Sequence, residues 1–365
     1  MRILFVGAFN LQWSADFPRA WGLKQDGNQV FCFDYRYKIR DETQEHNNIN
    51  RKPLNIKANL GNTLKSKLRM FYNNKSMSYF EARNFKFYRK WIEVKHYYLK
   101  GFWKISKRLL YEVKKNQYDL VFLSKIHFLP YKIIPEINKY AKTWYFIMDP
   151  LSTVLKINAH KYAALSTWSS ATFSSVNTFF KKNRAHSYHI IEGYDQNVFN
   201  SINGSKKTID VIFAGAKSVK RERFIKLLEE NDINVICYGI GWENKSIYIK
   251  ELTNKYRESK IILNFTRGNI GFSDRVFYAM GSGSFLLSEY CKDLETFFKR
   301  KIHLDWFKTE NELVSLIKFY LENDVIRKKI ADEGNKYVSE NFSWEKTMEK
   351  ILHIVTENNI DGEYK

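Results

Sequence analysis

The chain has 365 residues, 44% hydrophobic and 16% aromatic, enough to build packed cores in two domains and too apolar for disorder. Its formal net charge of +21 points to anionic partners. Three scattered cysteines, Cys32, Cys237 and Cys291, lack metal or redox spacing and read as reduced core residues of a cytosolic protein. The opening run Met1-Arg2-Ile3-Leu4-Phe5-Val6-Gly7 is too short for a signal peptide and predicts a first buried strand. No apolar run is long enough to span a bilayer, so a soluble or peripheral protein is expected.

A helix is predicted near Pro18 to Lys24, then a strand over Gln29 to Asp34 after the turn Asp26-Gly27-Asn28. A basic helical insertion follows, over about 60–116. Between Leu64 and Lys115 there are fifteen Lys or Arg against three Glu, with many aromatics. Trp91, Val94, Tyr98, Phe102, Ile105, Leu109 and Tyr111 approximate helical spacing and predict one or two amphipathic helices with basic faces. Such a helix suits an anionic membrane surface, a nucleic-acid backbone, or an ordinary core with a solvated face. Leu120 to Leu123, Trp144 to Ile147, Thr172 to Ser175 and Tyr188 to Glu192 read as further strands of a parallel, helix-covered sheet. Asn203-Gly204-Ser205-Lys206-Lys207 reads as a linker. Beyond it, Ile209 to Gly215, Val235 to Tyr238 and Ile261 to Phe265 restart the strand and helix alternation. The predicted division is a first domain over 1–200, a second over 208–340, and a terminal helix over 341–365.

Gly215-Ala216-Lys217-Ser218-Val219-Lys220-Arg221 leaves a strand and enters a helix, so its backbone could approach a phosphate that Lys217 and Arg221 neutralise. Ser273-Asp274-Arg275 opens another short helix with a cation in its first turn, again a place for a diphosphate. Asp149 ends the strand Phe146-Ile147-Met148, where ligands of open α/β sheets bind, and can act as a base; Asp16, after the first strand, is the second candidate. A turn before Pro150 explains Asp149 equally well. No Asp-x-Asp pair occurs, which favours side-chain cations over a metal; His186 and His189 have no third ligand nearby. The absence of a Gly-x-Ser-x-Gly elbow and of a Walker loop argues against a hydrolase or a P-loop ATPase.

The run from Ile261 to Phe265, then Arg275-Val276-Phe277-Tyr278-Ala279-Met280-Gly281, Asp293 to Phe298, and Arg327-Lys328-Lys329-Ile330-Ala331-Asp332-Glu333-Gly334, resembles the nucleotide-binding half of GT-B glycosyltransferases, with the CgeB-like group the most similar subgroup. Gly193-Tyr194-Asp195 with Phe199 resembles the end of that family's first domain, and Phe342-Ser343-Trp344 its tail. The resemblance implies an α/β protein of two Rossmann-like domains facing a central cleft. It implies a nucleotide-sugar donor held by Gly215, Lys217, Arg221, Asn264, Arg275, Tyr278 and Gly283, with Gly239 near the base and Gly7 admitting substrate to the first strand's end. Where the family carries a ribose-binding Glu, this chain has Tyr278, a weaker partner for a ribose. No cofactor or metal is implied. The expected acceptor is a hydroxyl on a glycan or lipid carrier, in bacterial surface polysaccharide or glycolipid assembly, in the cytoplasm or peripherally on the inner face of the membrane. Lys206 to Ile212 with Arg221-Glu222 is also similar to phage DNA glucosyltransferases, which makes DNA an alternative acceptor. A non-catalytic nucleotide-binding scaffold is the other alternative.

Overall fold

The structure, a computed structural model, describes residues 1–9, 15–35, 101–202, 205–266 and 271–360. Six parallel strands form the first sheet: β1 (Arg2–Gly7), β2 (Gln29–Asp34), β3 (Leu120–Ser124), β4 (Lys142–Ile147), β5 (Trp168–Ala171) and β6 (Ser187–His189), in the order β2-β1-β3-β4-β5-β6. Every residue of β3 is buried, as its unbroken apolar run requires of a parallel strand covered on both faces. Helix α1 (Asp16–Gly22) lies on one face. The other carries α2 (Phe102–Asn116), α3 (Ile133–Ile137), α4 (Leu151–Lys156), α5 (Ala159–Leu165) and α6 (Ser174–Lys182). From α2, Ile105, Leu109 and Val113 enter the core at intervals of four, so its lysines and its arginine face outward.

The second sheet has five parallel strands: β7 (Ile209–Ala214), β8 (Val235–Tyr238), β9 (Ser259–Asn264), β10 (Phe285–Glu289) and β11 (Asp305–Phe307), in the order β11-β10-β9-β7-β8. Around it are α7 (Val219–Glu229), α8 (Ile249–Arg257), α9 (Arg275–Gly281), α10 (Lys292–Phe297), α11 (Glu310–Glu322) and α12 (Asp324–Asn341). A capping box of Thr309 and Glu312 starts α11. These are the two Rossmann-like units expected of the α/β reading.

The last helix, α13 (Trp344–Ile360), returns to the first sheet. Its Trp344, Met348, Ile351 and Val355 pack with Ile3, Phe5, Phe122, Trp144 and Phe146. The outgoing and returning chains are zipped together: Tyr194 N–H donates to Phe342 O at 3.0 Å and Trp344 N–H to Tyr194 O at 3.2 Å. A Cβ on Gly193 would lie 2.7 Å from Ser343 O, so only glycine lets the two strands of chain approach this closely.

Three expectations change. Thr172 to Ser175 is not a strand: the fifth strand is Trp168–Ala171, and Ser174 and Ser175 begin α6. Two serines interrupt the apolar signal of β5, yet both are buried, with Ser170 Oγ accepting from Trp144 Nε1 at 2.8 Å. Cys32 is exposed, because β2 is an edge strand bonded only to β1; Cys237 and Cys291 are buried as expected. Of the basic insertion, 60–100 lies outside the described residues, while 102–116 is helical.

Trp344 is 1% exposed, so Trp344→Ala should lower unfolding stability by about 3–5 kcal/mol. Urea denaturation checks this, with Val325→Ala, at an 84% exposed position, expected within about 0.5 kcal/mol of wild type.

Candidate functional site

Strand order reverses once in each sheet, between β1 and β3 and between β7 and β9. Ligands of open α/β sheets bind at the carboxyl ends of the strands beside such a reversal. In the second domain that place is the turn after β7. A Cβ on Gly215 would lie 3.4 Å from Arg221 Nη1 and 3.4 Å from Arg275 Nη1, so two guanidiniums converge on this turn from α7 and α9. Their surroundings differ. Arg221 is buried, lies 5.1 Å from the Phe213 ring centre and donates to Ala216 O at 2.6 Å, which braces the loop. Arg275 makes no hydrogen bond or ion pair to a described side chain, and its Nε is buried without a partner. Because α9 has only seven residues, its helix end contributes little and the charge here is carried by the guanidinium.

The neighbouring candidates shape this turn. Gly215 N–H donates to Tyr238 O and Lys217 N–H to Ile240 O, each at 2.8 Å, so these two amides are already engaged. Lys217 pairs with Glu222 at 3.2 Å and lies 5.1 Å from the Trp242 ring centre. At Gly239, φ is +138° and a Cβ would lie 2.4 Å from Gly215 O; the residue allows the two loops to meet. Asn264, buried at the end of β9, donates to Ser288 Oγ at 2.9 Å and ties β9 to β10. Gly283, at φ +73°, packs on Ser201 of the chain joining the domains. A pocket of about 520 Å³ opens nearby at the ends of β10 and β11, lined by residues including Lys220, Glu289, Lys308 and Thr309, but neither Arg221 nor Arg275 lines it.

In the first domain, the reversal between β1 and β3 is filled by Asp16. One oxygen accepts from Ala8 N–H at 2.7 Å; the other accepts from Ser124 Oγ at 2.6 Å and Arg19 Nη1 at 2.8 Å. A carboxylate held by three donors fixes the loop. Gly7 is its neighbour, since a Cβ there would come within 2.9 Å of Asp16 Oδ2. Asp149 lies beyond β4 and pairs with Lys125 at 2.6 Å, its side chain still 13% accessible.

Two residues that the sequence reading passed over as site residues lie where the domains join. Arg19, buried, binds Asp16 and reaches Glu192 Oε2 at 3.4 Å; its guanidinium sits 4.6 Å from the Trp344 ring centre. The Asp16-x-x-Arg19 spacing on one helix face was the available signal. Burial pushes the Glu192 carboxyl up to about 8, with Asp274 and Asp149 adding to the rise and Arg19 and Lys125 opposing it. The ion pair and the rise pull in opposite directions. The rise prevails because burial outweighs the attraction to Arg19. Asp274 belongs to the second domain, and Tyr278 Oη donates to its Oδ2 at 2.7 Å while the ring stacks on Phe199 at 4.0 Å. Burial and Asp274, with Glu192 further off, hold the Tyr278 phenol well above its usual range. Tyr278 therefore positions a carboxylate at the junction.

Residues 220–353 match a family model described as glycosyl transferase-like. Two paired parallel sheets and solved relatives spanning nearly the whole chain decide the architecture. This is the GT-B fold of glycosyltransferases. The GT-B chain is similar to Anabaena HepE, solved with UDP-glucose, at 12% identity over 98% of this chain and 100% of HepE, with a TM-score of 0.63. It is also similar to sucrose-phosphate synthase of Thermosynechococcus elongatus (9% identity, 99% of each chain, TM-score 0.63). A glycosyltransferase of Rickettsia africae is similar as well (14% identity, 98% of each chain, TM-score 0.58). No curated protein matches the GT-B chain by sequence. The matched family is broad and does not single out a CgeB-like subgroup.

Because the folded state raises the Glu192 pKa, its protonated form is the one the fold favours. The stability it contributes is complete below the unfolded carboxyl range and is lost as pH rises through about 8. Glu192→Gln should therefore flatten the fall in thermal midpoint between about pH 5 and 8. Thermal melts across that range, on both proteins, check it.

Proposed function

We propose that this chain transfers a sugar from a nucleotide-sugar donor to an acceptor hydroxyl. The observation that carries the reading is the convergence of Arg221 and Arg275 on Gly215 where the second sheet reverses, with Arg275 left without a described partner. A diphosphate is the ligand that such a pair of cations in an α/β crevice suits. The glycosyl transferase-like match over 220–353 covers Arg221 and Arg275, and HepE, of the same fold, was solved with UDP-glucose.

In this reading Arg275, beside the loop that Arg221 braces, neutralises the diphosphate as the bond from the anomeric carbon to it breaks and the electron pair leaves with it. The acceptor oxygen forms the new bond, and Asp149 takes its proton. Lys125 orients Asp149, while Asp16 holds the ends of β1 and β3 in place. Side-chain cations supply the charge that a metal would supply elsewhere. The acceptor is a hydroxyl of a bacterial surface polysaccharide or glycolipid, met on the cytoplasmic side. The DNA-modifying and non-catalytic readings gain no support from the comparisons.

Thermal-shift titration with uridine, adenosine and guanosine diphosphates tests the donor site. One nucleotide should raise the midpoint of the wild type and leave Arg275→Ala unmoved; no shift with any of them would remove the reading. Once a turnover assay is in hand, Asp149→Asn should keep that shift and lose about 10²–10⁴ in turnover, the contribution expected of a general base. Equal turnover by Asp149→Asn would take the base role away from it.

A further inference from the structure

The first domain carries an unbalanced charge on one face. Helices α2 to α6 cover one side of its sheet and share one core. Within them stand nine Lys or Arg and two Glu, and all nine cations are exposed. Five are on α2: Lys104, Lys107, Arg108, Lys114 and Lys115. None of the nine is ion-paired to a described residue. Both acids are engaged locally: Glu112 accepts from Asn116 at 2.7 Å and Tyr118 at 2.8 Å, and Glu136 pairs with Lys139 at 2.8 Å. The opposite side of the same sheet differs, since α13 mixes Glu345, Lys346, Glu349 and Lys350 and pairs Lys346 with Glu349 at 3.0 Å.

We infer that the face formed by α2 to α6 docks on an anionic lipid bilayer. Charge complementarity requires an anionic partner, and the aromatics choose between a membrane and a nucleic acid. Tyr111 is 62% and Tyr140 46% exposed, so rings as well as charges reach this surface. Lys115 lies 5.8 Å from the Tyr111 ring centre, Lys114 lies 5.4 Å from that of Tyr140, and Lys107 lies 5.3 Å from that of Trp103. Ring faces covered by the protein's own cations are poorly placed to stack bases. Amphipathic rings flanked by long basic side chains fit the headgroup boundary, where Lys stems can extend toward lipid phosphates. A broad field of one sign also orients the approach, presenting this face and turning the balanced α13 face away. The inference rests on the surface charge and rings of this face and stands apart from the proposed sugar transfer.

The test is cosedimentation of the full chain with vesicles of phosphatidylcholine alone or with added phosphatidylglycerol. Binding should require phosphatidylglycerol and weaken with salt. Replacing Lys107, Arg108, Lys114 and Lys115 together by Gln should lower the partition coefficient by more than about a hundredfold, each basic residue at an anionic surface contributing roughly fivefold. A control that removes equal charge elsewhere, Lys318→Gln, Lys328→Gln, Lys329→Gln and Lys346→Gln, should bind almost as the wild type does. Matching thermal midpoints would show that both variants fold. Equal loss in the two variants would reduce the effect to net charge and overturn the inference. So would absence of binding, indifference to phosphatidylglycerol, or displacement from vesicles by duplex DNA at equal phosphate.

Discussion

One buried guanidinium ties together the two chain segments that cross between the domains. Arg19 binds Asp16, which fixes the ends of β1 and β3, and reaches Glu192 on the chain leaving the first domain. Its flat face lies against Trp344, on the chain coming back. A charge buried this completely is weak evidence for stability in itself, but removing one partner from such a pair costs about 3–5 kcal/mol, because the remaining charge is left uncompensated. The arrangement therefore fixes geometry: β1, β3, the outgoing strand and the returning helix share one donor. The zipped hydrogen bonds between Tyr194 and the segment Phe342 to Trp344 then hold both crossings side by side.

From that junction the two sheets present different charged groups at their strand ends. The reversal of the first sheet holds Asp16 paired with Arg19, and Asp149 paired with Lys125 lies beyond β4. That of the second presents Arg221 and Arg275 around a glycine turn. In the proposed transfer the donor diphosphate meets the Arg221 and Arg275 turn and the acceptor hydroxyl meets Asp149. Asp16 and the two arginines stand at the equivalent position of two sheets of the same kind, where strand order reverses.

Much of the fold was legible because parallel strands covered on both faces leave unbroken apolar runs, as in Leu120 to Leu123 and Val235 to Tyr238. The miss at β5 has the opposite cause: Ser169 and Ser170 are buried through hydrogen bonds, to His186 O and from Trp144, and polarity hid a core strand. Cys32 erred the other way, since an apolar sequence does not reveal that a strand is at an edge. The cations around Gly215 could be proposed from spacing after a strand. Their division of labour could not, because it depends on Arg221 turning back to its own loop at Ala216. Glu192 and Arg19 stand 173 residues apart, and no local pattern records that the fold places them together.

The position of Tyr278 shows how the junction and the cationic turn are linked. Its phenol is committed to Asp274, the residue just before Arg275, and its ring is stacked on Phe199 of the domain-joining chain. Asp274 in turn adds to the rise of the Glu192 carboxyl, which Arg19 contacts and opposes. The short helix bearing Arg275 is thus tied at its start by its own Tyr278 to Asp274 and anchored to the domain-joining chain through the stack on Phe199. A change in the separation of the domains would alter the burial of Glu192 and the charge around Asp274 together. The protonation state of the junction and the placement of the arginine are in this way two readings of one geometry, and Tyr278 is the residue that connects them.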